Sequence, residues 1–282
     1  MKKFVIVFLI LFSTFKIANA QKTYEYYFNN GQVNLDTGNY TLAIAYYDSS
    51  LKKNPKHANS YFNRGLAKSM IDDYQGTIVD FTKYISIVPY DGDAYAQRGD
   101  AKKYIKDTLG CIRDYDSSLF FKPNNYDIHV SRGRMLWAMG LMELSQKDMN
   151  YAVLLDSTNM DAVYFKAITH YYMDQQDSAL KYFNKAIVID SLAERPYYFC
   201  AKLKYFKKNY DEALKDINNA IRLYSKDPDF FIARAKIYMF NDNEYDDDLG
   251  EEDLYTALNM GSEEAKQLLD EYYSEEEENY QL

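Results

Sequence analysis

Histidine is the residue type best suited to acid–base chemistry or metal binding, and this sequence has three. His129 and His170 stand where neighbouring segments carry aromatic residues, and His57 lies in a turn, so their positions indicate packing rather than catalysis. A catalytic base needs an oriented partner, and a metal site needs several ligands at suitable spacing. The sequence shows no such cluster, no glycine-rich phosphate loop and no nucleophile beside a base. We therefore expect a non-enzymatic protein without a cofactor or a metal.

Two further groups of reactive side chains have structural explanations. Cys111 and Cys200 stand at unrelated positions of a repeating pattern, so we expect them to be buried and too far apart for a disulfide. The acidic residues of 242–248 alternate like the oxygen ligands of a calcium loop. They lack the glycine that such a loop needs at its sixth position, which favours a solvated loop.

A 34-residue period defines the elements that would position these side chains. Six copies follow one another without insertion or deletion, at residues 24–57, 58–91, 92–125, 126–159, 160–193 and 194–227. When each copy is numbered from 1, position 8 is glycine or alanine, position 20 is small and position 24 is large. Position 32 is proline in three copies and serine in the other three. Such a period is the signature of a solenoid of helical hairpins.

The residue types that recur at fixed positions of the copies have a direct role in packing. Small residues at positions 8 and 20 let two antiparallel helices approach closely, and the large residue at position 24 fills the space beside them. Apolar residues at positions 4, 8 and 11 give the first helix one buried stripe. Gly38 and Asp72 mark the turns between the two helices. The pattern predicts helix A over about positions 2–14 and helix B over about positions 17–31.

The pattern resembles the tetratricopeptide repeat family. In the second copy the resemblance is carried by Tyr61, Gly65, Tyr74, Phe81 and Pro89, and over the whole chain it extends across about residues 24–260. It implies an all-α fold, a right-handed superhelical solenoid of helix–turn–helix repeats. It also implies that the concave inner surface binds peptides.

Residues 1–20 have the features of a secretory signal peptide. Two lysines precede an apolar run over residues 4–12, and a small-x-small cleavage pattern stands at 18–20. We expect export to the periplasm or cell surface and a mature chain that starts at Gln21. An uncleaved membrane anchor is the alternative.

The segments outside the six repeats are also recognisable. They are a short lead at 21–23, a modified seventh repeat with an acidic insertion at 228–260, a capping helix at 261–273 and an acidic disordered tail at 274–282. In the seventh repeat the marks of helix B, Leu254 and Ala257, come three residues late. The capping helix would cover the exposed end of the stack, as terminal repeats require.

The acidity of the chain belongs to its C-terminus. Residues 241–282 hold 16 acidic residues and one lysine, whereas residues 21–240 hold 29 basic and 26 acidic residues. The low isoelectric point therefore says nothing about the inner surface of the repeats. No basic stripe supports nucleic-acid binding.

Position 7 is mostly arginine and position 23 mostly aspartate, which predicts a ladder of ion pairs. Pairing within a copy leaves two mismatches, whereas pairing position 23 with position 7 of the next copy leaves one. The sequence therefore favours inter-repeat pairs, namely Asp80–Arg98, Asp114–Arg132, Asp148–Lys166 and Asp216–Arg234. Such pairs would set the register of stacking more than the stability.

Positions 5, 9, 12 and 13 lie one rotation away from the buried stripe and are predicted to line the inner surface. Together with position 6, they are largely aromatic in repeats 4 to 7 and more polar in repeats 1 to 3, as at Gln97, Asp100 and Lys103. The candidate ligand-binding residues are Trp137, Tyr164, Tyr171, Tyr198, Tyr205, Lys202 and Lys236. We expect Tyr164 and Tyr198 to be available to a ligand. The alternative is that such rings pack between neighbouring A helices.

These expectations lead to two functional hypotheses. The first is a protein-interaction scaffold that binds a peptide or partner protein of unknown identity in the aromatic groove. In this hypothesis the protein binds no nucleic acid and has no membrane span after signal removal. The second is a glycan-binding envelope protein that uses the same groove, because aromatic rings also stack on sugars. A glycan site would need Asp, Asn or Gln beside the rings, and repeats 4 to 7 have few of these on the inner stripe.

Overall fold

The computed structural model describes residues 22–240 and 247–273, which form 15 α-helices and no strand. The chain divides into two compact units, Met1–Ile128 and His129–Leu282. Within the described residues, no helix is long and apolar enough to cross a bilayer. The predicted signal peptide, most of the acidic insertion and the acidic tail lie outside the described residues.

The first unit consists of three helical hairpins. Its helices are α1 (Tyr24–Asp36), α2 (Tyr40–Lys53), α3 (Ala58–Ser69), α4 (Tyr74–Ile87), α5 (Gly92–Tyr104) and α6 (Thr108–Phe121). Each A helix packs on the B helix of its own copy, and α2 and α4 also contact the A helix that follows. Helix A covers positions 1–13, or 1–12 in α3, and helix B covers positions 17–30, so the predicted boundaries are confirmed to within two residues.

The second unit is built from the same kind of helical hairpin. Its helices are α7 (Tyr126–Ala138, beginning just before the unit boundary), α8 (Met142–Leu155), α9 (Met160–Tyr172), α10 (Gln176–Ile189), α11 (Glu194–Phe206), α12 (Tyr210–Leu223), α13 (Pro228–Phe240), α14 (Asp247–Asn259) and α15 (Glu263–Tyr272). The predicted all-α repeat architecture is confirmed.

A left-handed residue at position 15 reverses the chain between helices A and B. Gly38 and Gly140 have φ of +78° and +75° there, and Asp72 and Lys106 have φ of +61° and +63°. Only glycine adopts this conformation without a steric cost, so the non-glycine copies carry some strain. The tight reversal keeps the two helices antiparallel.

Helix B ends at the same position whether or not a proline follows. Asn54 adopts an extended backbone before Pro55, as the residue before a proline must. In two of the three copies without proline, Asp156 and Asp190 are extended at the same position. Their carboxylates accept the backbone N–H two residues on, at 2.8 and 2.9 Å. In these two copies an aspartate turn therefore accompanies the end of the helix, whereas in the sixth copy Tyr224 is extended at the same position without one.

The contact between positions 8 and 24 has no room to spare. A Cβ atom on Gly31 would lie 2.6 Å from the ring of Tyr47, and one on Gly99 would lie 2.9 Å from the ring of Tyr115. The residues at position 24 are fully buried, namely Tyr47, Phe81, Tyr115, Met149, Phe183 and Ile217. The prediction that small and large residues interlock is confirmed.

The seventh repeat and the capping helix share one core. Leu254 and Ala257 are fully buried, as expected from their displaced spacing, and pack in the same cluster as Ala265 and Leu269 of α15. Ser262 caps α15, because its Oγ accepts the N–H of Ala265 at 3.3 Å. This helix lies within the segment predicted to cap the stack, residues 261–273.

The ion pairs lie within each copy, and the predicted inter-repeat pairing of Asp80, Asp114, Asp148 and Asp216 is wrong. Nε of arginine lies 2.7–2.9 Å from a carboxylate oxygen in the pairs Arg64–Asp80, Arg98–Asp114, Arg132–Asp148 and Arg234–Asp253. A second nitrogen binds the other carboxylate oxygen in each pair. These bidentate contacts compensate the burial of both charges.

The two apparent mismatches of the intra-repeat register are resolved by other partners. Lys166 Nζ lies 4.3 Å from the ring centroid of Tyr182, a cation–π contact. Asp216 is approached by Lys204, whose Nζ lies 2.7 Å from Oδ2. The number of opposite charges at positions 7 and 23 therefore favours pairing between repeats, whereas the structure has pairing within each repeat.

A double-mutant cycle on Arg98 distinguishes the two registers. We expect Arg98→Met to couple with Asp114→Ala by about 1–3 kcal/mol, because these charges bind each other directly. Coupling with Asp80→Ala, the sequence-favoured partner, should stay within about 0.5 kcal/mol. Urea unfolding of the single and double variants measures both values. A larger coupling to Asp80 would contradict the intra-repeat register.

Candidate functional site

The predicted aromatic stripe lies on the A helices of the second unit, and much of it is packed rather than open. Trp137, Tyr164, Tyr171 and Tyr205 are half-buried against one apolar cluster, to which Tyr198 belongs as a buried member. The structure thus brings all five predicted rings to one contiguous core and its surface.

Position 5 packs between neighbouring A helices. Tyr198 is only 8% exposed, and its ring centroid lies 5.1 Å from that of Phe230 on the next A helix. Tyr164 packs near Phe183, with the ring centroids 6.0 Å apart, and burial raises the pKa of Tyr164 to about 12. The next A helix covers most of Tyr198, so its predicted availability to a ligand is limited to the part that lines the cavity described below.

Positions 12 and 13 carry the accessible part of the stripe. Tyr205 is half-buried at position 12, while Phe206 and Phe240 at position 13 are 60% and 46% exposed. These residues line a cavity of about 520 Å³ between α11, α13 and α15. Leu268 and Tyr272 of α15 complete its apolar wall. Sequence reasoning missed the contribution of α15, since no repeat position identifies it.

The cavity has one lysine without a carboxylate partner. Lys236 Nζ lies 2.7 Å from Glu264 Oε1 of α15, so its charge is compensated. Lys202 Nζ lies 5.2 Å from the ring centroid of Tyr198 and 5.9 Å from that of Tyr171. Among the described residues no carboxylate lies within ion-pair distance of Lys202. The site therefore combines an apolar wall with an available cation.

The residues considered for catalysis are placed for packing. Nδ1 of the buried His129 lies 2.9 Å from Asp148 Oδ1, beside the ion pair of Arg132. His170 stacks on Tyr182 with ring centroids 5.5 Å apart. Burial raises the thiol pKa of Cys111 to about 11 and that of Cys200 to about 12, and neither cysteine forms a disulfide. In the part of the chain that the structure covers, no group of three His, Cys, Asp or Glu side chains could hold a metal ion.

Comparison with known proteins agrees with this geometry. The tetratricopeptide repeat family profile matches residues 22–67, and the same helix pair recurs through the described chain. This chain is a tetratricopeptide repeat protein. No curated protein matches its sequence.

Solved structures of other repeat proteins have a similar fold. The C-terminal part of a tetratricopeptide repeat-containing protein from Cytophaga hutchinsonii has a TM-score of 0.68 at 16% identity, over 85% of this chain and 98% of that one. A tetratricopeptide repeat protein from Parabacteroides merdae has a TM-score of 0.59 at 18% identity, over 88% and 97%. YrrB, described as having an unusual peptide-binding site, has a TM-score of 0.57 at 19% identity, over 63% and 92%. At these identities the similarity establishes the fold alone.

Alanine substitution should separate the packed and accessible parts of the stripe. We expect Tyr198→Ala to lower the free energy of unfolding by about 3 kcal/mol, because it removes a buried ring from the interface between α11 and α13. Phe206→Ala should cost less than about 1 kcal/mol, since its ring is mostly exposed. Urea unfolding followed by circular dichroism measures both. Equal losses would mean that position 13 is also core.

Proposed function

We propose that this tetratricopeptide repeat protein is a non-enzymatic interaction scaffold of the periplasm or cell surface. In this proposal it binds a segment of a partner protein along the aromatic inner stripe of repeats 4 to 7. The observation that carries the proposal is the apolar cavity between α11, α13 and α15. It retains exposed rings at Phe206 and Phe240 that helix packing does not require.

The chemistry of the cavity indicates the character of the bound segment. Large aromatic rings give extensive, rigid contact area, which is the usual character of interface hot spots. Lys202 adds one cation whose charge no carboxylate compensates among the described residues. A segment with a large apolar side chain next to an acidic residue would satisfy both features. YrrB, a structural neighbour of this chain, is described as having a peptide-binding site, which gives this proposal a precedent within the same fold.

Export rests on the N-terminal sequence, with its two lysines, its apolar run over 4–12 and the small residues at 18–20. We expect N-terminal sequencing of the protein from the cell envelope to begin at Gln21 or within a residue or two of it. Intact Met1 in the membrane fraction would instead indicate an uncleaved anchor.

Partner binding should depend on the cavity and not on exposed apolar surface in general. With the mature chain, residues 21–282, as bait, we expect Phe206→Ala and Phe240→Ala each to weaken binding of the captured protein about tenfold, or about 1.4 kcal/mol. Lys202→Glu should weaken it too, and more strongly at low than at high salt. The titrations use the purified partner.

Leu154→Ala is the matched control, since Leu154 is 77% exposed on α8 and does not line the cavity. It should leave partner binding unchanged. Equal effects of Leu154→Ala and Phe206→Ala would remove the cavity as the binding site.

A further inference from the structure

A second cleft lies in the first unit, where the inner face of the repeats is polar. It has a volume of about 490 Å³ and lies between the end of α3, the start of α4 and one face of α5. It is lined by two tyrosines, Tyr74 and Tyr104, and by the polar residues Gln97, Asp100 and Lys103. Neither the scaffold proposal nor the ion-pair ladder accounts for this combination.

The two tyrosines form a fixed aromatic platform. Their rings are parallel to within 5°, with centroids 4.4 Å apart, and Tyr104 is 60% exposed. The hydroxyl of Tyr74 donates a hydrogen bond to Asp72 Oδ1 at 2.5 Å, which fixes the inner ring. A stacked pair presents a flat, apolar surface at low cost in conformational entropy.

The polar groups stand on the same face of α5 as the platform. Gln97, Asp100 and Tyr104 follow one another at intervals of three and four residues. The half-buried amide of Gln97 makes no side-chain hydrogen bond within the described part of the chain, so two donors and an acceptor remain to be satisfied. Asp100 Oδ1 accepts the hydroxyl of Tyr115 at 2.6 Å, which fixes the carboxylate and leaves Oδ2 for a further donor.

This arrangement fits a sugar better than a protein segment. A pyranose ring has an apolar C–H face and, around it, hydroxyls that both donate and accept, so it needs an aromatic plane bordered by amide and carboxylate groups. The cavity of the second unit instead has a largely apolar wall and an available lysine, and one of its two carboxylates, Glu264, is already paired with Lys236; the other is Asp229. In the first unit Lys103 already lies 3.6 Å from Asp100, and a second carboxylate, Asp72, borders the cleft. These charges disfavour an anionic ligand.

We propose that this cleft binds a neutral oligosaccharide, with one pyranose ring stacked on Tyr104 and its hydroxyls hydrogen-bonded by Gln97 and Asp100. The site is separate from the cavity proposed for the partner protein and lies in the other compact unit. It assigns a ligand to the polar residues that distinguish the inner face of repeats 2 and 3.

Calorimetry on the mature chain, residues 21–282, tests the proposal with maltohexaose, laminarihexaose, mannohexaose and chitohexaose at millimolar concentration. We expect at least one to bind. Tyr104→Ala should weaken that binding at least about tenfold, because the stacking surface is lost. Tyr104→Phe keeps the ring and should bind within about twofold of the wild type, equivalent to about 0.4 kcal/mol. Gln97→Ala should weaken binding about fivefold, since a hydrogen bond is lost.

Tyr90→Ala is the matched control, because Tyr90 is 78% exposed in the same unit and does not line the cleft. It should leave sugar binding unchanged, as should Phe206→Ala in the second unit. The proposal is overturned if none of the four sugars binds, or if Tyr90→Ala and Tyr104→Ala have equal effects. It is also overturned if Tyr104→Ala weakens binding of the captured protein partner while no sugar binds. If no sugar binds, the predicted effects of Phe206→Ala and Phe240→Ala on partner binding are unaffected, because those residues line a different cavity.

Discussion

The close contact between position 8 of helix A and position 24 of helix B is the constraint on which the other features depend. An aromatic ring or a methionine occupies the space that a Cβ atom would need on Gly31, Gly65, Gly99 and Gly133. In later copies position 8 is alanine instead of glycine. Because interiors are close-packed, this contact fixes how near the two helices lie and which faces remain outside. The inner stripe is the face of helix A that this contact leaves uncovered.

The half-buried arginines at position 7 bind an aspartate of their own repeat and also a polar residue of the preceding repeat. Two nitrogens of Arg98 bind Asp114 within its own repeat, while Nη1 donates to Thr82 Oγ1 of the preceding copy at 3.2 Å. Arg234 does the same, with Asp253 in its own repeat and Asn218 in the preceding copy at 2.7 Å. Only a guanidinium has enough donors in a rigid plane for both tasks. Position 25, not position 23, therefore supplies the inter-repeat polar contact.

The inner stripe has a different chemistry in each compact unit. In the first unit it places Gln97 and Asp100 beside stacked tyrosines, and in the second it places Phe206 and Phe240 around an apolar cavity with Lys202. Positions 9 and 13 contribute to both kinds of surface, because helix packing constrains positions 8, 20 and 24 and leaves positions 9, 12 and 13 largely unconstrained. Function in such a fold resides in the residues on the scaffold rather than in the scaffold itself.

The sequence by itself determined the repeat length, the helix boundaries and the buried positions, because 34 residues recur without a gap and each copy repeats the same packing demands. It did not determine the ion-pair register, because a periodic sequence is compatible with pairing within a repeat or between neighbouring repeats. Lys166, for example, contacts a tyrosine ring instead of a carboxylate. Nor did it distinguish Tyr198, covered by the next A helix, from Phe206, which stays exposed. Those distinctions depend on how neighbouring hairpins cover one another, and this is fixed only in the tertiary structure.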